Sequence, residues 1–444
     1  MILGSRGFMK LLRNFIGLIL AAIALFAWAT PADAFCGFYV GKADTKLYNQ
    51  ASQVIIARNG DRNIITMAND YQGEVKDFAL VVPVPVVLQP EQVHVGEPTI
   101  IERLDGFTAP RLVEYFDSDP CMRYLEGDMV NSAPAPQSAR AESRDREEAL
   151  GVTIEAQFTA GEYEILILSA TESNGLETWL RQNGYKLPQG AGQLLQPYIR
   201  QNMKFFVAKV NLEEFAQSGY KLLRPLQIAY ESSRFMLPIR LGMMNATSEQ
   251  DLIIYVLSPR GQAEVTNYRT VKIPSDAEIP LFVKNEFGEF YQDMFQTAYQ
   301  REDRKVAFLE YAWDMASCDP CSADPLSPEE LRQAGVFWLD NPNQSNVFIS
   351  RIHVRYSRNK FPEDLMFQET GNQEWFQGRY ILRHPFTGKA ECQEAREYQH
   401  YLPQRYEQEA QTLAQLTNWD INEIREKMDI PKNSDSWWRK VWPF

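Results

Sequence analysis

Beyond its first thirty residues, the chain has no apolar run of the roughly 20 residues that a bilayer-spanning helix needs, so the bulk of it reads as a soluble body. It also lacks the Gly-x-Ser-x-Gly elbow of serine hydrolases, a phosphate-cradling glycine-rich loop and the His-Glu-x-x-His zinc motif, which removes the usual sequence support for those chemistries. Positive charge is in deficit: 45 basic residues face 58 acidic ones, a formal charge of −13, and such a balance argues against a nucleic-acid partner. A lipid-anchored precursor would carry a small, Leu-led box ending in cysteine, and Asp33-Ala34-Phe35-Cys36 is not one.

What is present begins with an export leader. Arg6, Lys10 and Arg13 form a charged start, Phe15 to Ala29 an apolar stretch ended by Pro31, and Ala32-Asp33-Ala34 a small-x-small cleavage site, the order that signal peptides require. Residues 1–34 are therefore expected to be removed, with Met1 and Met9 both serviceable starts and an uncleaved anchor as the alternative. The mature chain would carry 42 basic and 57 acidic residues, a formal charge of −15. The expected location is the bacterial periplasm or cell envelope, or the medium as a secreted protein. Oxidising surroundings make disulfides the default for Cys36, Cys121, Cys318, Cys321 and Cys392, and the odd number leaves at least one thiol unpaired within the chain.

Local patterns predict an α+β protein of mixed, largely antiparallel sheets with inserted amphipathic helices and a helical C-terminal region. Runs 54–57 and 63–68 flank Asn59-Gly60-Asp61 as a hairpin, and a strand from Phe78 must end or become an edge at Pro83 and Pro85. Leu112, Val113, Tyr115 and Phe116 after Pro110 suggest a short helix. Residues 127–150, rich in Ser, Ala, Pro and charge, form a linker or mobile loop between an N-terminal segment (35–126) and a main body (151–400). Within that body, 163–168 reads as a strand, and Phe235, Leu237, Ile239 and Leu241 alternate with Arg234, Met236, Pro238 and Arg240 as a half-buried strand pairing with 252–257. Residues 286–301 have the spacing of an amphipathic helix. Ser327-Pro328-Glu329-Glu330 is a capping box closed by Gly335, and Phe348, Ile352, Val354 and Tyr356 mark another half-buried strand. Two short helices follow between about 404 and 428, within a C-terminal region (401–444) ending in an aromatic tail.

Several segments together resemble the bacterial family known as domain of unknown function 2330: Cys36 to Val40, Phe78 to Pro85, Arg234-Phe-Met-Leu-Pro-Ile-Arg-Leu-Gly242, Thr266-Asn-Tyr-Arg-Thr270 and Cys318-Asp-Pro-Cys321. The resemblance spans most of the mature chain. It implies an exported bacterial protein and brings no activity, ligand or catalytic residue with it.

Several constellations could carry chemistry. Cys318-Asp319-Pro320-Cys321 has the spacing of a thioredoxin-like redox pair, but the helix capped by Ser327 starts too late to lower a thiol pKa at Cys318, so a staple is favoured, either within the pair or from one of its members to Cys392. Zinc held by this pair with Cys392 and His384 or His400 lacks a compact second half, so neither metal nor cofactor is expected. A Cys36–Cys121 bond would close a long loop. Arg351, His353 and Arg355 share a strand face, as do Arg234 and Arg240, and could bind an anion, although carboxylate neighbours are the commoner fate of such stripes in an acidic chain. Glu310 and Asp314 could flank a glycosidic bond only at a separation the sequence does not set. Finally, Trp437, Trp438, Trp442 and Phe444, with two cations between them, suit either a membrane-water interface or a partner surface.

With no catalytic set assembled, the expected role is a non-enzymatic binding or structural module stapled by disulfides, whose partner is an envelope protein or glycan. The alternatives are a thiol-disulfide oxidoreductase using Cys318 and Cys321, and a membrane-peripheral scaffold touching the membrane through its C-terminal tail.

Overall fold

The β-branched runs around Gly60 form the expected hairpin: strands Ser52–Asn59 and Arg62–Ala68 pair antiparallel, and Gly60 takes the left-handed conformation (φ 63°) that a two-residue turn demands. In the computed structural model, residues 38–41, 52–68, 78–122, 152–183, 190–220, 223–244, 249–319, 324–340, 346–357 and 359–428 are described. The leader, the 127–150 segment, Cys36, Cys321 and the tail with Trp437, Trp438, Trp442 and Phe444 lie outside them.

The hairpin sits inside a nine-stranded sheet. Across it run Arg269–Lys272, Val306–Asp314, Phe348–Tyr356, Gln250–Ser258, the two hairpin strands, Leu226–Glu231 and Val93–Val95, with Phe376–Gln377 as a second partner of Val306–Asp314. A five-stranded antiparallel sheet, in the order Phe38–Gly41, Phe78–Val84, Lys204–Val210, Tyr163–Ala170 and Val152–Ala160, packs face to face against it. Alternation decides which side chains meet: Val54, Ile56, Leu252, Ile254 and Val256 from the large sheet share one core with Leu80, Val82, Ile165, Ile167 and Phe206 from the smaller. Each such fully buried aliphatic side chain is worth about 1.5–3 kcal/mol.

Helices cover both outer faces, so the layers run helix, sheet, sheet, helix. Ser173–Gln182 and Ala191–Arg200 pack on the five-stranded sheet. Thr99–Thr108 and Pro328–Gln333 cover one part of the nine-stranded sheet, and Phe287–Arg301 with Gln393–Thr417 and Ile421–Lys427 cover another. The fold is α+β with mostly antiparallel pairing, as the sequence patterns indicate. Residues before and after the 127–150 segment interleave in both large sheets and share their cores.

The helix at Phe287–Arg301 buries Phe290, Met294, Phe295, Ala298 and Tyr299, as its spacing predicts. Ser327 and Glu330 exchange capping bonds before Pro328–Gln333. Pro83 pairs only on the side of Lys204–Val210, beyond the point where the register with Phe38–Gly41 stops at Val81. It stands where its strand has become an edge among the described residues.

Other expectations fail for tertiary reasons. Arg111–Phe116 is a strand, held in parallel register by Arg379–His384, and the helix lies just upstream at Thr99–Thr108. The Phe235–Leu241 alternation gives only the strand Met236–Leu237 and then a 3-10 turn. Its partner is Leu365–Glu369, whereas Gln250–Ser258 pairs with Phe348–Tyr356 and Ser52–Asn59. The strand around Ile352 is buried on both faces, because helices cover the side that its polar residues seemed to give to water. The first of the C-terminal helices is long, 25 residues, and runs through Pro403.

Candidate functional site

On the helix-covered face of the nine-stranded sheet, between two apolar clusters, six ionisable side chains line up with alternating charge: Asp105, Arg351, Glu310, His353, Asp251 and Arg355. Arg351, His353 and Arg355 occupy alternate positions of Phe348–Tyr356, and so point the same way. Asp251 is the second residue of the neighbouring strand Gln250–Ser258, opposite Arg355. Asp105 comes from the helix Thr99–Thr108 above.

Glu310 reaches this row through a β-bulge. The register between Val306–Asp314 and Phe348–Tyr356 slips between Leu309, opposite Ile352, and Tyr311, opposite Arg351. The extra residue is Glu310, whose carbonyl accepts from the Gly378 N–H at 2.7 Å. A Cβ at Gly378 would stand 3.1 Å from that oxygen, a tight contact, so the close approach favours glycine. The bulge also inverts the alternation beyond it: Trp313 joins the outer, helix-covered face with Glu310, while Asp314 lies opposite Phe348 of the inner core. The two carboxylates considered for glycoside cleavage are thereby parted onto opposite faces, and Glu310 is fully buried.

The contacts form a continuous chain. The Arg351 guanidinium donates from Nη1 to Asp105 Oδ1 at 2.6 Å and from Nε to Glu310 Oε2 at 2.6 Å. His353 has Nδ1 2.8 Å from Glu310 Oε1 and Nε2 3.1 Å from Asp251 Oδ1. Arg355 clamps Asp251 with two bonds of 2.7 Å and donates to Gln296 at 2.6 Å. Tyr291 donates to Glu310, and Phe295 stacks on the His353 ring with centroids 4.0 Å apart. Side-chain exposure is greatest at the ends of the row, 41% for Asp105, 28% for Asp251 and 19% for Arg355, while Arg351, Glu310 and His353 are buried.

Both imidazole nitrogens of His353 face carboxylate oxygens, so the ring serves as a doubly protonated donor. Burial works against that charge, but Glu310 and Asp251 outweigh it and raise the His353 pKa. Burial likewise opposes ionisation of Glu310, yet His353 and Arg351 hold its pKa down at about 2. Asp251 is lowered too, by His353 and Arg355 against its own burial. The row is then three anions and three cations, and the costly desolvation of each is met by its neighbours. Chemically it has little left to offer: its imidazole has no free lone pair for a base, and its arginines are committed to carboxylates.

The other sequence candidates are scattered. Arg351, His353 and Arg355 are thus brought together, but as members of the ladder and not as an open anion site. Arg234 is exposed and donates to Gln201 at 3.1 Å, whereas Arg240 lies 3.8 Å from Asp364. Cys121 bonds to Cys392, across 271 residues of sequence. That pairing overturns both the Cys36–Cys121 loop and a bridge from Cys318 or Cys321 to Cys392, and it takes Cys392 out of any zinc set. Cys318 is exposed after the Val306–Asp314 strand, and its sequence partner Cys321 lies outside the described residues. His384 stacks on Phe116 and pairs with Glu114 at 2.7 Å. Among the described residues, no group of three or more His, Cys, Asp or Glu is arranged to hold a metal ion.

Below the disulfide lies a smaller polar cluster. Asp117 accepts from Tyr398 at 2.5 Å and Arg405 at 2.6 Å, and Arg405 Nε stands 3.3 Å from Glu409 Oε1. Glu409 is buried without a hydrogen bond to that oxygen, and burial pushes its pKa up to about 7. A carboxyl that holds its proton longer folded than unfolded loses stability as pH rises from its unfolded value, about 4.3, through 7. Glu409→Gln should therefore stabilise the protein at pH 8 by about 1–3 kcal/mol and do little at pH 4, as urea unfolding at the two pH values would show. Equal effects at both would refute the assignment.

Residues 30–368 match the family model described as an uncharacterised protein conserved in bacteria, DUF2330. The chain belongs to this family. No curated protein and no solved structure matches it. The matched region holds all six ladder residues and Cys121, while the Arg379–His384 strand and Cys392 lie beyond it. The family domain is therefore tied to the C-terminal part by both a strand pairing and a covalent bond.

Asp251, Asp105 and Tyr291 were not among the sequence candidates. Asp251 and Tyr291 stand in elements whose patterns are readable, but nothing in those patterns says that they meet Glu310. Asp105 lies in a ten-residue helix that apolar spacing alone did not reveal.

Proposed function

We propose that this protein is an exported component of the bacterial cell envelope that acts as a non-enzymatic binding or structural module, locked by its disulfide. The single observation that carries the reading is the Cys121–Cys392 bond, in which Cys121 is exposed and Cys392 only half-buried. A solvent-accessible bond of this kind persists in an oxidising compartment and is reduced in the cytosol, which accords with the leader sequence. The closed ladder supports a non-catalytic role, since its ionisable groups are spent on one another. The partner would be an envelope protein or glycan.

The test is fractionation of cells expressing the chain with its own leader, followed by alkylation of thiols before and after reduction under denaturing conditions. The expected product is extracytoplasmic, shortened by the leader, with Cys121 and Cys392 alkylated only after reduction. A full-length, reduced protein in the cytosol would end the proposal.

A further inference from the structure

Strand Phe376–Gln377 pairs antiparallel with Val306–Asp314, placing Gln377 opposite Tyr311 and Phe376 opposite Ala312. One step further along, Trp375 and Trp313 stack, with centroids 4.7 Å apart and planes at 26°. Trp313 stacks in turn near Tyr311, at 5.8 Å, and Tyr311 meets Phe107 edge-on at 5.7 Å. The series runs from the fully buried Tyr311 to Trp375, which is 52% exposed.

Hydrogen bonds fix the lower members. Trp313 donates from Nε1 to the Ser317 carbonyl at 3.1 Å, and Asp319, buried, accepts from Tyr311 at 3.0 Å and Gln377 at 2.6 Å. The outer indole is therefore a flat apolar plate on a rigid support. The residues just before it are polar: Gln373 and Glu374 are exposed, and Lys272 pairs with Glu374 at 2.9 Å.

We propose that Trp375 is a saccharide-binding platform, on which a pyranose ring of an envelope glycan lays its C–H face while its hydroxyls reach Gln373, Glu374 and Lys272. The inference rests on the reading of the protein as an envelope binding module and names the ligand class. A hexose has an apolar face and a rim of hydroxyls, which suits an exposed indole plate preceded in the chain by an exposed amide and carboxylate, Gln373 and Glu374, the latter paired with Lys272. An apolar peptide side chain would instead need an enclosed pocket to be desolvated. A plate held by its stack loses little conformational entropy on binding, yet one ring contact gives weak affinity, and repeated units on a polymer would raise it through avidity.

The test uses the purified oxidised protein, insoluble peptidoglycan and soluble β-1,4-linked N-acetylglucosamine hexamer, with indole fluorescence as the readout. Wild type should be retained on the polymer and show a saturable fluorescence change with the hexamer. Trp375→Ala should weaken both by about tenfold or more, Trp375→Phe should restore part of the loss, and the melting temperature should hold within a few degrees. The proposal is overturned by absence of a hexamer response in wild type up to about 10 mM, or by undiminished binding in folded Trp375→Ala. Trp375-dependent capture by phosphatidylglycerol vesicles in place of the glycan would also overturn it. Because these measurements are made in vitro, failure here with a correctly exported, oxidised protein in cells would leave the envelope reading standing.

Discussion

Glu310→Gln is expected to lower the unfolding free energy by about 3–5 kcal/mol, since it removes the central anion of the ladder and leaves Arg351 and His353 buried without their shared partner. The substitution keeps the side chain's shape, so the loss reports charge and not a cavity. Its pH dependence is a sharper test. In the wild type the His353 pKa is raised, so the stabilisation from this group is fully present below its unfolded value, about 6.5, and is lost as pH rises through the folded value. Glu310 and Asp251 act at the other end: their folded pKa values are lowered, so their contribution is present above about pH 4 and is lost as pH falls toward 2. Stability should therefore peak on the acidic side of neutrality. In Glu310→Gln the decline above about pH 6.5 should shrink, because His353 no longer has the carboxylate that most favours its proton. Urea midpoints across pH, with the His353 ring followed by NMR, would check both claims. A loss under about 1 kcal/mol would mean that the ladder contributes little beyond what solvent-exposed pairs do.

The second large effect is covalent. Cys392→Ser should cost about 2–5 kcal/mol, because an open chain regains the entropy that a bond across 271 residues removes. Cys392 also caps its helix, with Sγ accepting from the Ala395 N–H at 3.4 Å. Serine preserves that cap, so the variant isolates the bond. The region expected to loosen first is Gln393–Thr417, with Asp117, Tyr398 and Arg405 beneath the staple. Hydrogen exchange should show loss of protection there before the nine-stranded sheet is affected. Uniform loss across the chain would show instead that the staple stabilises the protein globally. Oxidised and reduced wild type should differ in the same sense as wild type and variant.

Much of the local structure was legible in the sequence because its causes are local. Gly60 between two β-branched runs specifies a hairpin, Ser327 and Glu330 specify a helix start, and the spacing of Phe290, Met294 and Phe295 specifies a helix face. Arg111–Phe116 shows where local causes give out: its residues suit a short helix as well as a strand, and the parallel register with Arg379–His384, more than 260 residues away, chooses the strand. The Arg351, His353 and Arg355 stripe was visible as a stripe. Its burial was not, because alternation identifies which side chains share a face and says nothing about what covers that face.

The cysteines and the ladder mark the boundary between the two kinds of information. Charge balance, the expectation of a leader, the cysteine count and the capping and turn residues belong to the sequence by itself, since each acts within a few residues or through composition. The pairing of Cys121 with Cys392, the meeting of Asp105, Asp251 and Glu310 on one sheet face, and the stacking of Trp375 on Trp313 were decided only by the tertiary structure. Strand register places Asp251, Glu310 and Trp375, and one bulge residue, Glu310, reverses which side chains beyond it face inward.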